Sequence, residues 1–211
     1  MDQFVQIIGV IIISYLLGSI PTAYLIAKSK GIDIFSVGSG NMGATNVGRS
    51  LGFWWGIVVW ACDSGKGILA ILIATAILPE NRAAATAISA TAAVVGHNWS
   101  LFATLVTGTL RGGKGAAIWF GTMFMIAPLQ VLVGMSVLGV AVIALTRYVS
   151  LAVLGMCALA TIWIAVLIQQ QVVPIEYIFY MLVVGLLIVF RFRENIQRLL
   201  TGTERRLGDP A

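Results

Sequence analysis

The chain has 211 residues, of which 59% are hydrophobic and 10% are charged, and its formal net charge is +5. A soluble domain usually has roughly 25% charged residues, so this composition excludes an ordinary soluble fold. Most of the cations flank apolar segments. Their excess therefore indicates the orientation of the chain in a membrane and the binding of anionic substrates, and gives no reason to expect binding of nucleic acid.

Seven apolar segments predict an all-α, polytopic integral membrane protein, since a span takes about 20 residues. They are 4–27, 53–78, 83–106, 116–127, 129–146, 150–169 and 174–191. The first has no cation before it and is interpreted as a retained helix, not a signal peptide. The fourth stops at Pro128 and can instead merge with the fifth into one kinked helix. No linker divides the chain, which predicts a single transmembrane domain over 1–211.

The distribution of cations orients these spans. With the N-terminus outside, the inner loops and the C-terminal tail contain Lys28, Lys30, Arg49, Arg111, Lys114, Arg147, Arg191, Arg193, Arg198, Arg205 and Arg206. Among the outer loops, only 79–83 contains a cation, Arg82. This asymmetry predicts a cytoplasmic C-terminus and favours seven spans over six. Cys62 and Cys157 lie in apolar runs without a CxxC or Cys/His cluster, so we expect no disulfide framework and no metal site.

The first polar island is residues 38–49, GSGNMGATNVGR. Its glycines let the backbone approach a ligand, successive N–H groups can bind an anion, and an arginine can hold a phosphate. Its candidate residues are Gly38, Ser39, Gly40, Asn41, Thr45, Asn46 and Arg49. An ordinary inside loop is the alternative.

The second polar island is residues 111–115, RGGKG, followed by apolar residues. A turn of this kind entering a helix offers backbone donors, the positive end of a helix and an ammonium together. It lacks the GxxxxGK[ST] spacing of a Walker A loop. The candidate residues are Arg111, Gly112, Gly113, Lys114 and Gly115. The alternative is a simple positive flank of a span.

The third polar island is residues 191–204, in which Ile196, Leu199 and Leu200 recur at helical spacing. The pattern predicts an amphipathic helix at the inner surface, with Arg191, Asn195 and Arg198 on one polar face. A basic helix lying on anionic lipid is the alternative.

Four polar residues lie inside or at the ends of spans, where ionisable groups are costly and are functional candidates. Asp63 and Lys66 are three residues apart and can pair, either for function or as a structural ion pair. His97, the only histidine, is a candidate catalyst or a packing residue. Ser150 can cap a helix or contact a ligand.

By this topology the three islands face the inner side and can converge on one basic pocket suited to a phosphate-bearing substrate with a lipid tail. Two other classes remain open at this point. A transporter or channel for a phosphorylated solute would need polar residues continuing to the outer side, and the outer halves of the spans are nearly uniformly apolar. A non-catalytic scaffold would leave the three islands unexplained.

Together these segments resemble the bacterial acyl-phosphate:glycerol-3-phosphate acyltransferase family of phospholipid synthesis. The resemblance extends over most of the chain. It covers Gly18-Ser19-Ile20-Pro21, the first island, Asp63 with Lys66-Gly67, Gly96-His97-Asn98, the GGKG at 112–115, Thr146-Arg147-Tyr148-Val149-Ser150, and Arg193-Glu194-Asn195-Ile196 with Arg198, Gly202 and Glu204.

The resemblance implies a multi-pass enzyme of the bacterial inner membrane whose active site faces the cytoplasm. It would use a fatty acyl phosphate as donor and glycerol 3-phosphate as acceptor, without a cofactor or metal. A soluble enzyme that supplies acyl phosphate would be a transient partner, and membrane lipid would surround the spans. By position, the resemblance assigns Ser39, Arg49 and Asn195 to the reaction and Gly112, Gly113 and Lys114 to glycerol 3-phosphate binding, and Lys114 is also a catalytic candidate. It assigns Glu204 to structural support, and we expect a structural role for Asp63 and Glu194 as well.

Two features depart from the family pattern. Phe192 stands where a histidine is common, and the stretch 98–111 looks a few residues longer than usual. They leave open a divergent paralogue with another donor or acceptor. The resemblance favours a substrate phosphate oxygen as proton acceptor, with His97 as the second candidate.

Overall fold

A computed structural model describes residues 2–209, which contain α-helices and one 3-10 turn and no β-strand. In chain order the helices are α1 (Gln3–Ser19), α2 (Thr22–Ser29), α3 (Ala44–Leu51), α4 (Phe53–Ile77), α5 (Arg82–Asn98), α6 (Leu101–Thr107), α7 (Ala116–Ile126), α8 (Leu129–Thr146), α9 (Val149–Gln169), α10 (Tyr177–Arg191) and α11 (Arg193–Leu200). The all-α prediction is confirmed for this part of the chain.

Within residues 2–209, four helical segments are long and apolar enough to cross a membrane, namely Gln3–Ser29, Phe53–Ile77, Leu129–Thr146 and Val149–Gln169. The helices α7 and α10 are shorter and also apolar. The chain is therefore a membrane protein with several spans. The count of seven spans and the orientation of the termini stay predictions.

The chain forms two compact units, residues 2–125 and Ile126–Asp209. In the first unit, α1 packs closely against α5 because small residues let the backbones approach. A side chain added at Gly18 would strike the Ala93 carbonyl, and one added at Gly96 would strike the Tyr15 carbonyl. The Tyr15 hydroxyl also donates to the Trp99 carbonyl at 2.9 Å. The end of α5 is thus fixed on α1.

The first span is interrupted where α1 ends and α2 begins. Pro21 stands at this break and has no N–H to continue the helical hydrogen bonds. The freed carbonyl of Ile20 accepts hydrogen bonds from Thr22 N–H at 3.0 Å and from Lys66 Nζ at 2.9 Å. A broken helix is tolerated in a membrane where such partners satisfy the freed backbone groups.

The third predicted span, 83–106, is not one continuous helix. It divides between α5 and α6, because Ser100 caps α6 by accepting a hydrogen bond from Ala103 N–H at 3.1 Å. The Ser100 hydroxyl also donates to the Ser19 carbonyl at 2.5 Å, which fixes the break against α1. A serine placed before an apolar run is a helix-start signal that the sequence contained.

In the second unit, α8 packs on α9, with Gly134 facing Trp163 and Gly139 facing Met156. The boundaries predicted for these two helices agree with the structure within one residue. The last predicted span, 174–191, begins three residues late, at Tyr177. The helix α7 ends at Ile126, and α8 begins at Leu129, directly after Pro128, so the two do not form one continuous helix. The alternative of one kinked helix is therefore wrong.

Candidate functional site

Asn46 organises the first polar island. Its side chain is buried, with 2% of the residue exposed. Its Nδ2 donates to the carbonyls of Ile34, Val37 and Asn41 at 3.3, 3.2 and 3.1 Å, and its Oδ1 accepts from Ser39 N–H at 2.9 Å. One side chain of α3 therefore holds the preceding loop in shape, and Ser39 lies exposed in a turn of that loop.

The rest of the island divides between this loop and α3. Gly38 and Gly40 have left-handed backbone angles, φ 58 and 65, which only glycine adopts readily. Asn41 donates from its side chain to the Ser39 carbonyl at 3.1 Å. Thr45 and Arg49 lie on α3, with Arg49 in its last turn. The island is thus half helical, with residues 38–43 in the loop and the rest on α3.

Asp63 and Lys66 form a buried ion pair on α4, as their spacing predicted. Asp63 Oδ1 lies 3.0 Å from Lys66 Nζ, and their side chains are 2% and 7% exposed. The same ammonium donates to the Ile20 carbonyl at the break after α1. These contacts give Lys66 a structural role in the described residues, whereas its predicted contact with substrate stays a prediction.

His97 lies beside this pair and against the second island. Its Nδ1 is 4.0 Å from Asp63 Oδ1, and the residue is 4% exposed. A side chain added at Gly113 would strike His97 Nε2, and the Gly113 N–H donates to the His97 carbonyl at 2.9 Å. The imidazole is therefore enclosed between a carboxylate and a glycine backbone, which favours the packing alternative.

The second island enters a helix, as the sequence predicted. Gly115, with φ 84, immediately precedes the first residue of α7. A side chain added at Gly112 would strike the Asn98 carbonyl, so this turn lies directly on the end of α5. The N–H groups at a helix start and the neighbouring Lys114 ammonium together favour a bound anion.

Ser100 and Arg111 join this turn to the rest of the first unit. The Arg111 carbonyl accepts from Ser100 N–H at 2.9 Å, and the Arg111 guanidinium lies over the Phe35 ring, 4.7 Å from its centroid. Arg111 thus contacts the loop of the first island. Neither Phe35 nor Ser100 was a candidate, although Ser100 has the helix-capping pattern noted above.

Glu204 brings together the candidate residues of the second unit. Its Oε1 accepts from Ser150 Oγ at 2.7 Å and from Asn195 Nδ2 at 2.6 Å, and its Oε2 accepts from Arg198 Nε at 2.7 Å. Burial raises the pKa of Glu204, but these hydrogen bonds and the charge of Arg198 outweigh it and leave the pKa below its ordinary value.

Glu204 thus holds three side chains of the second unit, and its expected supporting role stays a prediction. Ser150 is the second residue of α9, so its hydroxyl does not cap that helix and instead holds the glutamate. Asn195 is 8% exposed and faces inward on α11. The carboxylate therefore fixes the Asn195 side chain from one side.

The predicted third-island helix begins later than residue 191. Arg191 ends α10 and Arg193 begins α11, so Arg191 does not share a helix with Asn195 and Arg198. Phe192 stands between the two helices and is buried, and its phenyl ring has no group that could transfer a proton. Glu194 is exposed in the first turn of α11.

Known proteins that are similar to this chain share one description. A family model described as glycerol-3-phosphate acyltransferase matches residues 8–202. A protein of that name from Halalkalibacterium halodurans is 40% identical over 196 residues, covering 92% of each chain. One from Thermus thermophilus is 40% identical over 202 residues, covering 95% of each.

Two solved structures also match this chain. Both are crystal structures of PlsY (YgiH), an integral membrane glycerol 3-phosphate acyltransferase, at 37% sequence identity and covering 96% of this chain. The glycerol 3-phosphate form has a TM-score of 0.84 and is covered to 96%, and the lysophosphatidic acid form has a TM-score of 0.82 and is covered to 95%.

Proposed function

This chain belongs to the glycerol-3-phosphate acyltransferase family, and from that premise we propose that it transfers a fatty acyl group from an acyl phosphate to the 1-hydroxyl of glycerol 3-phosphate. The products are 1-acyl-glycerol 3-phosphate and inorganic phosphate, and the reaction opens phospholipid synthesis. The solved relatives hold glycerol 3-phosphate and lysophosphatidic acid, the acceptor and the product of such a transfer.

The observation on which the proposal chiefly rests is the turn at 112–115. Lys114 stands just before the start of α7, so its ammonium and the N–H groups of that helix start can together stabilise a dianionic phosphate. Arg49, on the neighbouring island, supplies a guanidinium that can bind two phosphate oxygens at once. We assign these two cations to the phosphates of acceptor and donor.

The acyl phosphate donor makes an acyl-enzyme intermediate unnecessary, because a mixed anhydride is already activated. The oxygen of the 1-hydroxyl attacks the acyl carbon, and the bond between that carbon and the phosphate oxygen breaks. The electron pair leaves with the phosphate, which also takes the proton of the hydroxyl. Positioning and electrostatic stabilisation then supply the catalysis. Ser39 and Asn195 orient the substrates or donate to the developing oxyanion.

The buried position of His97 supports this choice of proton acceptor. Its Nδ1 faces Asp63, and its Nε2 edge is covered by Gly113. A general base must reach the hydroxyl proton within hydrogen-bond distance. The test is the pH–rate profile of His97→Ala. A profile with the wild-type shape supports the substrate phosphate as proton acceptor. Loss of the acidic limb of the profile identifies His97 as the proton acceptor.

The experiment that tests the function uses purified protein in detergent with radiolabelled glycerol 3-phosphate. We expect lysophosphatidate to form with synthetic acyl phosphate as donor, and not with acyl-CoA or with the acylated acyl carrier protein. Arg49→Ala and Lys114→Ala should each lose most activity while remaining folded. Arg82→Ala, which removes an exposed cation at the start of α5, should keep it. Near-normal turnover in either of the first two variants rejects the phosphate assignment.

We also propose seven spans in the bacterial inner membrane, with the N-terminus outside and the islands and C-terminus cytoplasmic. The four long helical segments, the apolar helices α7 and α10 and the 17-residue α5 supply seven segments. Single cysteines introduced at Lys30 and Thr201, after replacement of Cys62 and Cys157, should react with an impermeant thiol reagent from inside only. Reaction of either from outside rejects this topology.

A further inference from the structure

The last residues of the second unit fold back on the corner between α8 and α9. We call residues 201–209 the tail segment. Arg147 stands at the corner, where its left-handed φ of 63 ends α8. Its Nε and Nη2 donate to the Leu207 carbonyl at 3.0 and 2.6 Å, and its own carbonyl accepts from Leu207 N–H at 2.6 Å. Three hydrogen bonds therefore join one residue of the corner to one residue of the tail segment.

Two further contacts strengthen this junction. The Arg206 guanidinium lies over the Tyr148 ring, 5.4 Å from its centroid. Gly208, with φ 90, lies directly under Arg147, because a side chain added there would stand 2.8 Å from Nη2. These two contacts add to the three hydrogen bonds between the corner and the tail segment.

The same tail segment contains Glu204, three residues before Leu207. Leu207 follows Glu204 by only three residues, which limits the distance that the backbone between them can span. Fixing the position of Leu207 therefore also restricts where the Glu204 carboxylate can lie. That carboxylate is the acceptor for Asn195 Nδ2 and Ser150 Oγ. A displacement of the tail segment would therefore remove this hydrogen bond from the side chain of Asn195.

We propose that Arg147 is a positioning residue for the acyl transfer: it holds the tail segment so that Glu204 fixes Asn195. The inference rests on the proposed function, in which Asn195 orients substrate or oxyanion. Arg147 acts through hydrogen bonds to the backbone and not by its charge, since both donors that the structure resolves point to one carbonyl.

The first test compares Arg147→Ala and Arg147→Lys. Lysine keeps the charge but cannot reproduce two donors in a planar fork. Both variants should lower kcat by about tenfold or more without raising the KM for glycerol 3-phosphate, since misplacement by about 1 Å at a remote site can cost a hundredfold. Wild-type kcat in Arg147→Lys, or a raised KM in both, overturns the proposal in favour of an electrostatic or substrate-binding role.

Gly208→Ala reaches the same junction without changing Arg147. Its added methyl meets the guanidinium and its φ is unfavourable for alanine, so it should lower kcat in the same way. Arg193→Ala is the matched control, because it removes an exposed cation whose contacts are with Phe190 and not with the tail segment. It should leave kcat and KM unchanged. A kcat in Gly208→Ala equal to that of the wild type overturns the proposal.

A double-mutant cycle with Glu204→Gln separates positioning from general loss of structure. If Arg147 acts through Glu204, the added effect of Arg147→Ala on kcat is much smaller in the Glu204→Gln background than in the wild type. Equal effects in both backgrounds overturn the proposal.

Limited trypsin digestion of the same proteins gives a readout that needs no activity. Cleavage after Arg205 and Arg206 should be faster in Arg147→Ala than in the wild type. Unchanged cleavage rejects the inference, whereas a wild type inactive with acyl phosphate rejects the proposed function instead.

Discussion

Gly113 lies against His97, with no space between its α-carbon and the imidazole for a side chain, and its N–H donates to the His97 carbonyl at 2.9 Å. The turn that presents Lys114 is therefore built on the end of α5. Because Gly113 has no left-handed backbone angle, the requirement for glycine here comes from the space that the neighbouring ring occupies.

Gly113→Ala should destabilise the protein and displace Lys114. Overpacking of this kind costs about 1–3 kcal/mol. We expect a lower midpoint of thermal unfolding in detergent and a higher KM for glycerol 3-phosphate. In a His97→Ala background the space for the methyl exists, so the same substitution should lower the midpoint much less.

Gly112→Ala is the matched control for this pair. Its added methyl would strike the Asn98 backbone carbonyl, which no side-chain substitution removes. His97→Ala should therefore not rescue it. Equal rescue of Gly112→Ala and Gly113→Ala would show that the imidazole is not the obstacle.

The parts of the structure that sequence reasoning predicted depend on local patterns. The spacing of Asp63 and Lys66 on one helical face predicted their ion pair, and the GGKG followed by apolar residues predicted a turn entering α7. The boundaries of α8 and α9 followed from apolar length and from Pro128.

The parts that sequence reasoning missed depend on contacts between segments distant in the chain. Asn46 was predicted only as a candidate ligand residue, and the hydrogen bonds of its amide to the backbone of the loop before it were not foreseen. The interruption between α5 and α6 depends on Ser19, 81 positions from Ser100. The role of Arg147 requires the return of Leu207 to the corner. Periodicity reports none of these, because each depends on tertiary packing.

The ion pair of Asp63 and Lys66 predicts a non-additive pair of substitutions. Removing one partner leaves a buried charge without compensation and costs about 3–5 kcal/mol. Asp63→Asn and Lys66→Met should each lower the midpoint of thermal unfolding strongly. In the double variant, the midpoint of thermal unfolding should fall by less than the sum of the decreases in the two single variants. Simple additivity would mean that the 3.0 Å contact contributes no coupling.

The depressed pKa of Glu204 predicts a pH-dependent stability. Burial raises this pKa, but the hydrogen bonds from Ser150, Asn195 and Arg198 lower it further, so the folded value lies below the unfolded one. The ionised carboxylate therefore stabilises the fold above the ordinary pKa of glutamate, about 4.3. That contribution is lost as the pH falls through the folded value.

Glu204→Gln removes this contribution of the ionised carboxylate to stability. At pH 7 its unfolding midpoint should lie below that of the wild type, and the gap should narrow as the pH falls towards about 4 and below, where glutamate protonates. Glu194→Gln, which changes an exposed carboxylate on α11, should track the wild type at every pH. A gap between Glu204→Gln and the wild type that is constant with pH would contradict the assigned ionisation.

Asn98 and Asn46 are both buried asparagines of the first unit, but their side chains differ in hydrogen bonding. The Asn46 side chain makes four hydrogen bonds to the loop backbone. Asn98 is 0% exposed, and among the described residues neither its Oδ1 nor its Nδ2 has a hydrogen-bond partner. A buried polar group without a partner costs about 1–3 kcal/mol.

Asn98→Leu should therefore leave the midpoint of thermal unfolding unchanged or raise it, since an apolar side chain of similar size avoids that cost. Asn46→Leu, the matched control, should lower the midpoint clearly, because it leaves three backbone carbonyls and one N–H of the loop without their partner. Both are measured in the same detergent at the same pH. If the two variants lose equal stability, the Asn98 amide has a partner as necessary as those of Asn46, and its burial beside Gly115 stabilises the turn.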